Sequence, residues 1–274
     1  MPTTQLPPRP LRVGTGRDRT VRRVLVLIAL ACLVIAVGGL AARSIAAGIE
    51  QSRFSEVPSV LEVGAPSSLE VTTSVSDVTV RESDEVDQVT LALVEAGADT
   101  LPADPAPVRA RWDRSTQHGT SRVDVQRPHL RATSDWFDDE DPDLLVLIPS
   151  DAAADLTLAV RVDVGDLTAE GSLAGLDLRS TTGNIDADGV SASGSIAAHT
   201  EVGDIDLALD DGGAREISAR TTTGDVDIAL PCCETWDVDA RSDEGSTDVD
   251  AGIRGEGSAL RARTDFGDLS VSRR

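Results

Sequence analysis

Four aspartates are the best-patterned candidates for chemistry in this 274-residue chain. Asp204 and Asp206 stand one and three residues after Gly203; Asp225 and Asp227 stand at the same offsets after Gly224. Strand side chains alternate faces, so the four would form a double acidic ladder on one surface. Carboxylate oxygens so arranged are calcium candidates. The calcium nonapeptide pattern Gly-Gly-x-Gly-x-Asp is absent, and pairing of the acids with arginines is the simpler account of their persistence. Cys232 and Cys233 follow Pro231 in a connecting segment. They either close a vicinal disulfide, an eight-membered ring that stiffens a turn, or stand as two free thiols, one of them buried. Neighbouring His and Cys ligands for zinc are lacking.

The remaining candidates are weaker. His118, His129 and His199 are scattered. No nucleophile elbow Gly-x-Ser-x-Gly and no phosphate loop occurs. The acids of 138–143 match no EF-hand spacing. Trp136-Phe137 in that acidic loop reads as a binding knob or, more simply, as a cover for the side or end of the fold, since a chain with six aromatic residues tends to bury them. These absences lead to the expectation of a non-enzyme with no cofactor.

What positions the aspartates is a repeat. Gly165, Gly183, Gly203, Gly224, Gly245 and Gly267 recur in units such as Val-Gly-Asp-Leu (164–167), Thr-Gly-Asn-Ile (182–185), Val-Gly-Asp-Ile (202–205), Thr-Gly-Asp-Val (223–226) and Phe-Gly-Asp-Leu (266–269). A near-constant period of about 20 residues predicts stacked coils. Alignment on the glycine gives inward apolar rows: Leu158, Leu176, Ile196, Ile217, Val238 and Leu260 seven residues before it, and Leu167, Ile185, Ile205, Val226, Thr247 and Leu269 two after. A Ser/Thr row three before, from Ser180 to Thr264, is inward and polar, suited to backbone groups freed where a ladder bends. Each coil is therefore a strand, a glycine corner that needs positive φ, and a second strand. Outward, four before the glycine, stand Arg161, Arg179, His199, Arg220, Arg241 and Arg263. The acidic rows lie round the corner, and the expectation is that the two signs pair across it. Gly245-Ser246-Thr247 lacks both the Asp and the apolar residue, so that coil should be distorted.

Residues 61–150 form a less regular lead-in and residues 151–274 the regular repeats. Ser76 takes the place of a repeat glycine, but Gly165 is too far away for one coil. Leu144–Ile148 is a fully apolar strand closed by Pro149. The final coil ends at Arg274 with no capping segment. That open solenoid end is a candidate for self-association, unless Arg261, Arg263, Arg273 and Arg274 block it by charge.

Residues 24–42 carry no charge. As a helix they rise about 28 Å, close to a hydrocarbon core. Six arginines precede them within residues 1–23, a balance of +5 that leaves −27 for residues 43–274 against a total of −22. The positive-inside tendency then makes 1–23 a cytoplasmic tail, 24–42 a single transmembrane helix, 43–60 a juxtamembrane spacer and 61–274 an extracytoplasmic domain at the plasma membrane. A cleaved signal peptide is the rival reading, disfavoured by the length of the apolar run. So acidic a body suits no nucleic-acid partner.

The strand ending in Ile148-Pro149, the Leu156/Leu158/Val160/Val162 strand and the recurring Ser/Thr-x-x-Gly-Asp-Ile/Val units resemble the bacterial β-strand-repeat, adhesin-like family of unknown function, in its membrane-anchored actinobacterial form. The resemblance spans 61–274 and implies an all-β, single-stranded β-solenoid, like a parallel β-helix, outside a bacterial membrane. It brings no catalytic residues. The functional expectation is a non-catalytic interaction or scaffold module of the cell envelope, bound to an envelope protein or cell-wall component. The alternative is an accessory or sensory partner of another envelope membrane protein. A polysaccharide-active solenoid is a more distant reading, because aromatic sugar platforms and cleft-building loops are scarce.

Overall fold

A computed structural model describes residues 54–274 except 118, 128–141 and 211–212. The tail 1–23, the apolar stretch 24–42, residues 43–53 of the spacer, Cys32, His118, His129 and the Trp136-Phe137 loop lie outside the described residues. Among the described residues no helix is long and apolar enough to cross a membrane.

The described chain is all-β. The lead-in holds β1 (Ser55–Pro58), β2 (Val60–Gly64), β3 (Ser68–Val75), β4 (Val78–Ser83), β5 (Val89–Val94), β6 (Pro107–Gln117), β7 (Thr120–Gln126) and β8 (Asp143–Pro149), then one helical turn, α1 (Ser150–Ala153). The folded unit begins at Phe54, so residues read as the end of a spacer already supply β1. The repeats follow as β9 (Thr157–Val164) and β10 (Leu167–Leu173), β11 (Gly175–Thr182) and β12 (Ile185–Ala192), β13 (Ser195–Val202) and β14 (Ile205–Leu209), and β15 (Glu216–Thr223) and β16 (Val226–Leu230). The last four are β17 (Trp236–Glu244), β18 (Thr247–Val249), β19 (Ser258–Phe266) and β20 (Leu269–Arg273).

Each coil gives its first strand to one ten-stranded sheet and its second to another. Alternation turns one side of every strand inward, and the predicted rows stack in parallel register. Leu158, Leu176, Ile196 and Ile217 are successive partners in the first sheet. Leu167, Ile185, Ile205 and Val226 are successive partners in the second. All eight are at most 2% exposed, so a narrow aliphatic core runs between the sheets and needs few aromatics.

The coils do not stack in chain order, contrary to the expectation of a simple winding. From one end the strand pairs run β7/β8, β3/β4, β9/β10, β11/β12, β13/β14, β15/β16, β19/β20, β17/β18. The long stretch between Ser76 and Gly165 is an excursion that builds the outermost coil and its cover before the chain returns to β9. At the other end the final coil slots between β15/β16 and β17/β18. Its Leu260, Ala262, Thr264, Leu269 and Val271 are all buried and need neighbours on both sides. In the Gly245 coil, Thr247 is exposed, while Val238, Ala240 and Val249 are only half-buried. The apolar coil is thus interior and the polar coil terminal, as the hydrophobic effect requires.

The first end carries more structure. β6 extends the first sheet antiparallel to β7 and β1 pairs antiparallel with β6, while β5 extends the second antiparallel to β8 and β2 pairs antiparallel with β5. Ala92, Val94, Leu145 and Leu147 form a second small core on the outer face, packed by Val60, Val86, Ala98 and Leu101. Strands covered on both faces read as continuous apolar runs, which accounts for Leu144–Ile148.

Candidate functional site

The glycine corner comes first, because it places every charged row. Gly203 has φ +147°, and a Cβ there would lie 2.1 Å from the Gly183 carbonyl oxygen; Gly224 has φ +142° and meets the Gly203 oxygen at the same distance. Both the backbone region and the close approach exclude a side chain. The inward hydroxyls donate to these same carbonyls: Thr200 Oγ1 to Gly183 at 3.0 Å, Thr221 to Gly203 at 2.9 Å and Thr264 to Gly224 at 2.8 Å. This is the backbone satisfaction expected of the Ser/Thr row.

The acids one residue after the glycine also serve the backbone. Asp77 Oδ1 accepts the Asp166 N–H at 2.8 Å, Asp166 accepts from Asn184 at 2.7 Å, and Asn184 accepts from Asp204 at 2.9 Å. The ladder continues from Asp204 to Asp225 at 2.8 Å, from Asp225 to Asp268 at 2.7 Å and from Asp268 to Ser246 at 2.7 Å. Neutral Asn184 fills its rung as well as any aspartate. The row therefore needs a side-chain oxygen at that height, and charge is incidental to it. The backbone N–H of Ser246, followed by its hydroxyl, holds the Asp268 carboxyl below its ordinary pKa.

The four calcium candidates accordingly separate into two pairs. Asp204 and Asp225 belong to the corner ladder. Asp206 and Asp227 stand on the outer face of the second sheet, in register with Asp186. Burial, then repulsion from Asp186, Asp227 and Asp188, pushes the Asp206 carboxyl above its ordinary pKa. The Arg274 guanidinium reaches Asp188 and Asp210, both at 2.9 Å. Among the described residues no three His, Cys, Asp or Glu side chains converge as metal ligands.

The arginine row is continuous as predicted: Arg161, Arg179, His199, Arg220, Arg263 and Arg241 are successive partners in the first sheet. Its pairing differs from the expectation. Arg161 meets Glu70, Arg179 meets Asp177 at 2.9 Å, and Arg263 meets Asp243 at 2.8 Å and Asp265 at 3.4 Å. The partners are acids of the same sheet face. The corner aspartates are committed to the backbone and stay out of the pairing. Arg220 pairs with no acid among the described residues. With Arg241, Arg261, Arg263 and Asp239 it lines a shallow depression of about 220 Å³. A larger groove of about 930 Å³ lies beside β5, lined by residues including Leu93, Leu101, Pro102 and Val108.

Cys232 and Cys233 are both exposed free thiols with their Sγ atoms 3.3 Å apart. Neither is the buried thiol of the second sequence reading. The open end moves as well. Arg273 and Arg274 lie in an interior coil, and the bare strands at that end are β17 and β18. There Arg254 Nη1 donates to the Val238 carbonyl at 3.0 Å, occupying part of the β17 edge. Sequence reasoning missed this residue, and it also missed the Glu70 clamp described below. Thr247 in an apolar row and Asn184 in an acidic row were the available signals for the coil order and for the ladder.

The paired two-sheet stack with glycine corners can now be set beside known proteins. The family described as Toastrack DUF4097 matches residues 116–271, more than half of the chain. The chain belongs to this family. Among solved structures, the toastrack chain is similar to a putative cell adhesion protein from Clostridium sporogenes, at 8% identity and a TM-score of 0.46, covering 80% of this chain and 100% of that one. It is also similar to a putative adhesin from Bacteroides fragilis, at 13% identity and a TM-score of 0.40, covering 80% of this chain and 97% of that one. No curated protein matches the sequence.

Proposed function

We propose that this toastrack domain is a non-catalytic, adhesin-like interaction module of the cell envelope. In this reading it is held outside the plasma membrane by a single helix over 24–42, with residues 1–23 in the cytoplasm. The observation that carries the reading is the continuous arginine row on the regular first-sheet face, a repetitive surface available for contact. It concentrates arginine in an acidic body, and Arg220 is left without an acidic partner beside Arg241 and Arg263. An acidic group of an envelope protein or cell-wall component would complete that set, since a planar guanidinium suits carboxylate or phosphate.

Photo-crosslinking from intact cells tests this. A crosslinker at position 220 is expected to capture a discrete partner, and one at position 206 on the opposite face is expected to capture none. Loss of association on deleting 1–20, with no capture from position 220, would favour the accessory role through the tail.

A further inference from the structure

Cys232 and Cys233 lie in the connection 231–235, which carries the chain from β16 to β17 past the place filled by β19 and β20. Cys233 is the one non-glycine residue with positive φ among the described residues, at +77°. A side chain with a Cβ adopts that region only when its surroundings impose it. Here the result is a turn that presents two exposed thiols 3.3 Å apart. The hydrogen bond and charge shared with Cys233 hold the Cys232 thiol above its ordinary pKa, opposed by the Arg273 guanidinium.

We propose that Cys232 and Cys233 are a reversible dithiol–disulfide site whose oxidant is a low-molecular-weight disulfide. The thiolate of the pair attacks one sulfur of the reagent, breaks its S–S bond, forms a mixed disulfide and releases one thiolate. The neighbouring cysteine loses its proton to water and attacks its partner's sulfur. That step forms the Cys232–Cys233 bond and releases the second reagent thiolate. Two electrons pass to the reagent. Adjacent Cα atoms stand about 3.8 Å apart, closer than the usual disulfide span of about 4.4–6.8 Å. The ring is therefore strained and is readily reopened by thiols.

The consequence is local. Leu230, just before the strap, accepts the Arg274 N–H at 2.8 Å, and Trp236, just after it, donates to Ile253 at 2.7 Å. Closing the ring stiffens the segment that pins both the inserted final coil and its cover. This chemistry is independent of the envelope reading, so the two stand or fall separately.

The test uses the full chain with Cys32→Ser, equilibrated across glutathione redox buffers, alkylated and weighed. The expected result is joint loss of both alkylatable thiols in one two-electron transition, without a retained glutathione, reversed by dithiothreitol. Cys233→Ser in the same background should instead accumulate a glutathione adduct on Cys232. Two thiols still alkylatable at the oxidising limit, or a stable single adduct on the parent, would overturn the proposal. So would failure of the Cys233→Ser chain to trap the adduct.

Discussion

The two ends of the stack are terminated by opposite means. At the β7/β8 end the chain adds core: β5 is buried along its whole length, and β8 from Leu144 onward, and antiparallel strands extend both sheets. At the β17/β18 end it removes core: Thr247 replaces an aliphatic residue and Gly245 is followed by no aspartate. Both ends depart from chain order, and at the β17/β18 end the coil with the stronger inward rows sits inside. A solenoid can therefore be stopped either by covering its last coil or by giving that coil nothing to cover.

This contrast sets the size of the expected mutational effects. Leu91 in β5 is 0% exposed, and Leu91→Ala should cost about 3 kcal/mol in chemical denaturation. Val238→Ala in the terminal coil should cost less than about 1 kcal/mol, because that side chain is only half-buried. Equal costs would erase the distinction between the ends.

Charge sharpens it further. Glu70 on β3 is gripped by Arg122 of β7, with Nε at 2.8 Å, and by Arg161 of β9, tying the out-of-order coil to the regular ones. Burial pushes its pKa up, but the hydrogen bonds and charges of the two arginines outweigh this and leave it below the ordinary value. A carboxyl whose pKa is lowered by folding contributes stability above its ordinary pKa and loses it as pH falls through the lowered value. Glu70→Gln should remove about 1 kcal/mol at neutral pH, discounted for the exposure of both arginines, and should abolish that acid-side loss. At the other end Arg241 and Asp239 stand 4.0 Å apart and exposed, and Arg241→Gln should change stability by less than about 0.3 kcal/mol.

Between the ends one small effect has the opposite sign. The Asp206 pKa is raised by folding, so its contribution favours the fold at low pH and is lost as pH rises from the ordinary carboxylate value through the raised one. Asp206→Asn should therefore stabilise the protein at neutral pH, by about 0.5 kcal/mol for relief of like charges on adjacent strands. The gain should vanish in acid. A loss of stability at neutral pH would mean that Asp206 has a partner.

Much of this was legible in the sequence because the period constrains many residues at once. The glycine corners, the inward rows and the continuous arginine row all follow from one alignment. The use of the corner oxygens was not legible, since an aspartate looks alike whether it binds an ion, an arginine or a backbone N–H. Only neutral Asn184 hinted at the answer. Coil order was hidden for a different reason: Leu260 and Val238 occupy the same row, and nothing in a row says which coil lies outermost. The exposed Thr247 resolves it only once burial is known. Trp136 and the apolar run 24–42 fall outside the described residues.

Coil order is also where the account can be tested most directly, since the placement of the final coil inside the stack underlies the mutational contrast between the ends. Arg220 neighbours Arg263, and Arg263 neighbours Arg241. Positions 220 and 241 thus stand two strands apart, about 9.6 Å, beyond the reach of about 7 Å for a disulfide. In a chain with Cys32, Cys232 and Cys233 replaced by Ser, Arg220→Cys with Arg263→Cys should oxidise to an intramolecular disulfide, and Arg220→Cys with Arg241→Cys should not. The reverse result would mean that the coils wind in chain order, leaving the final coil as an open end.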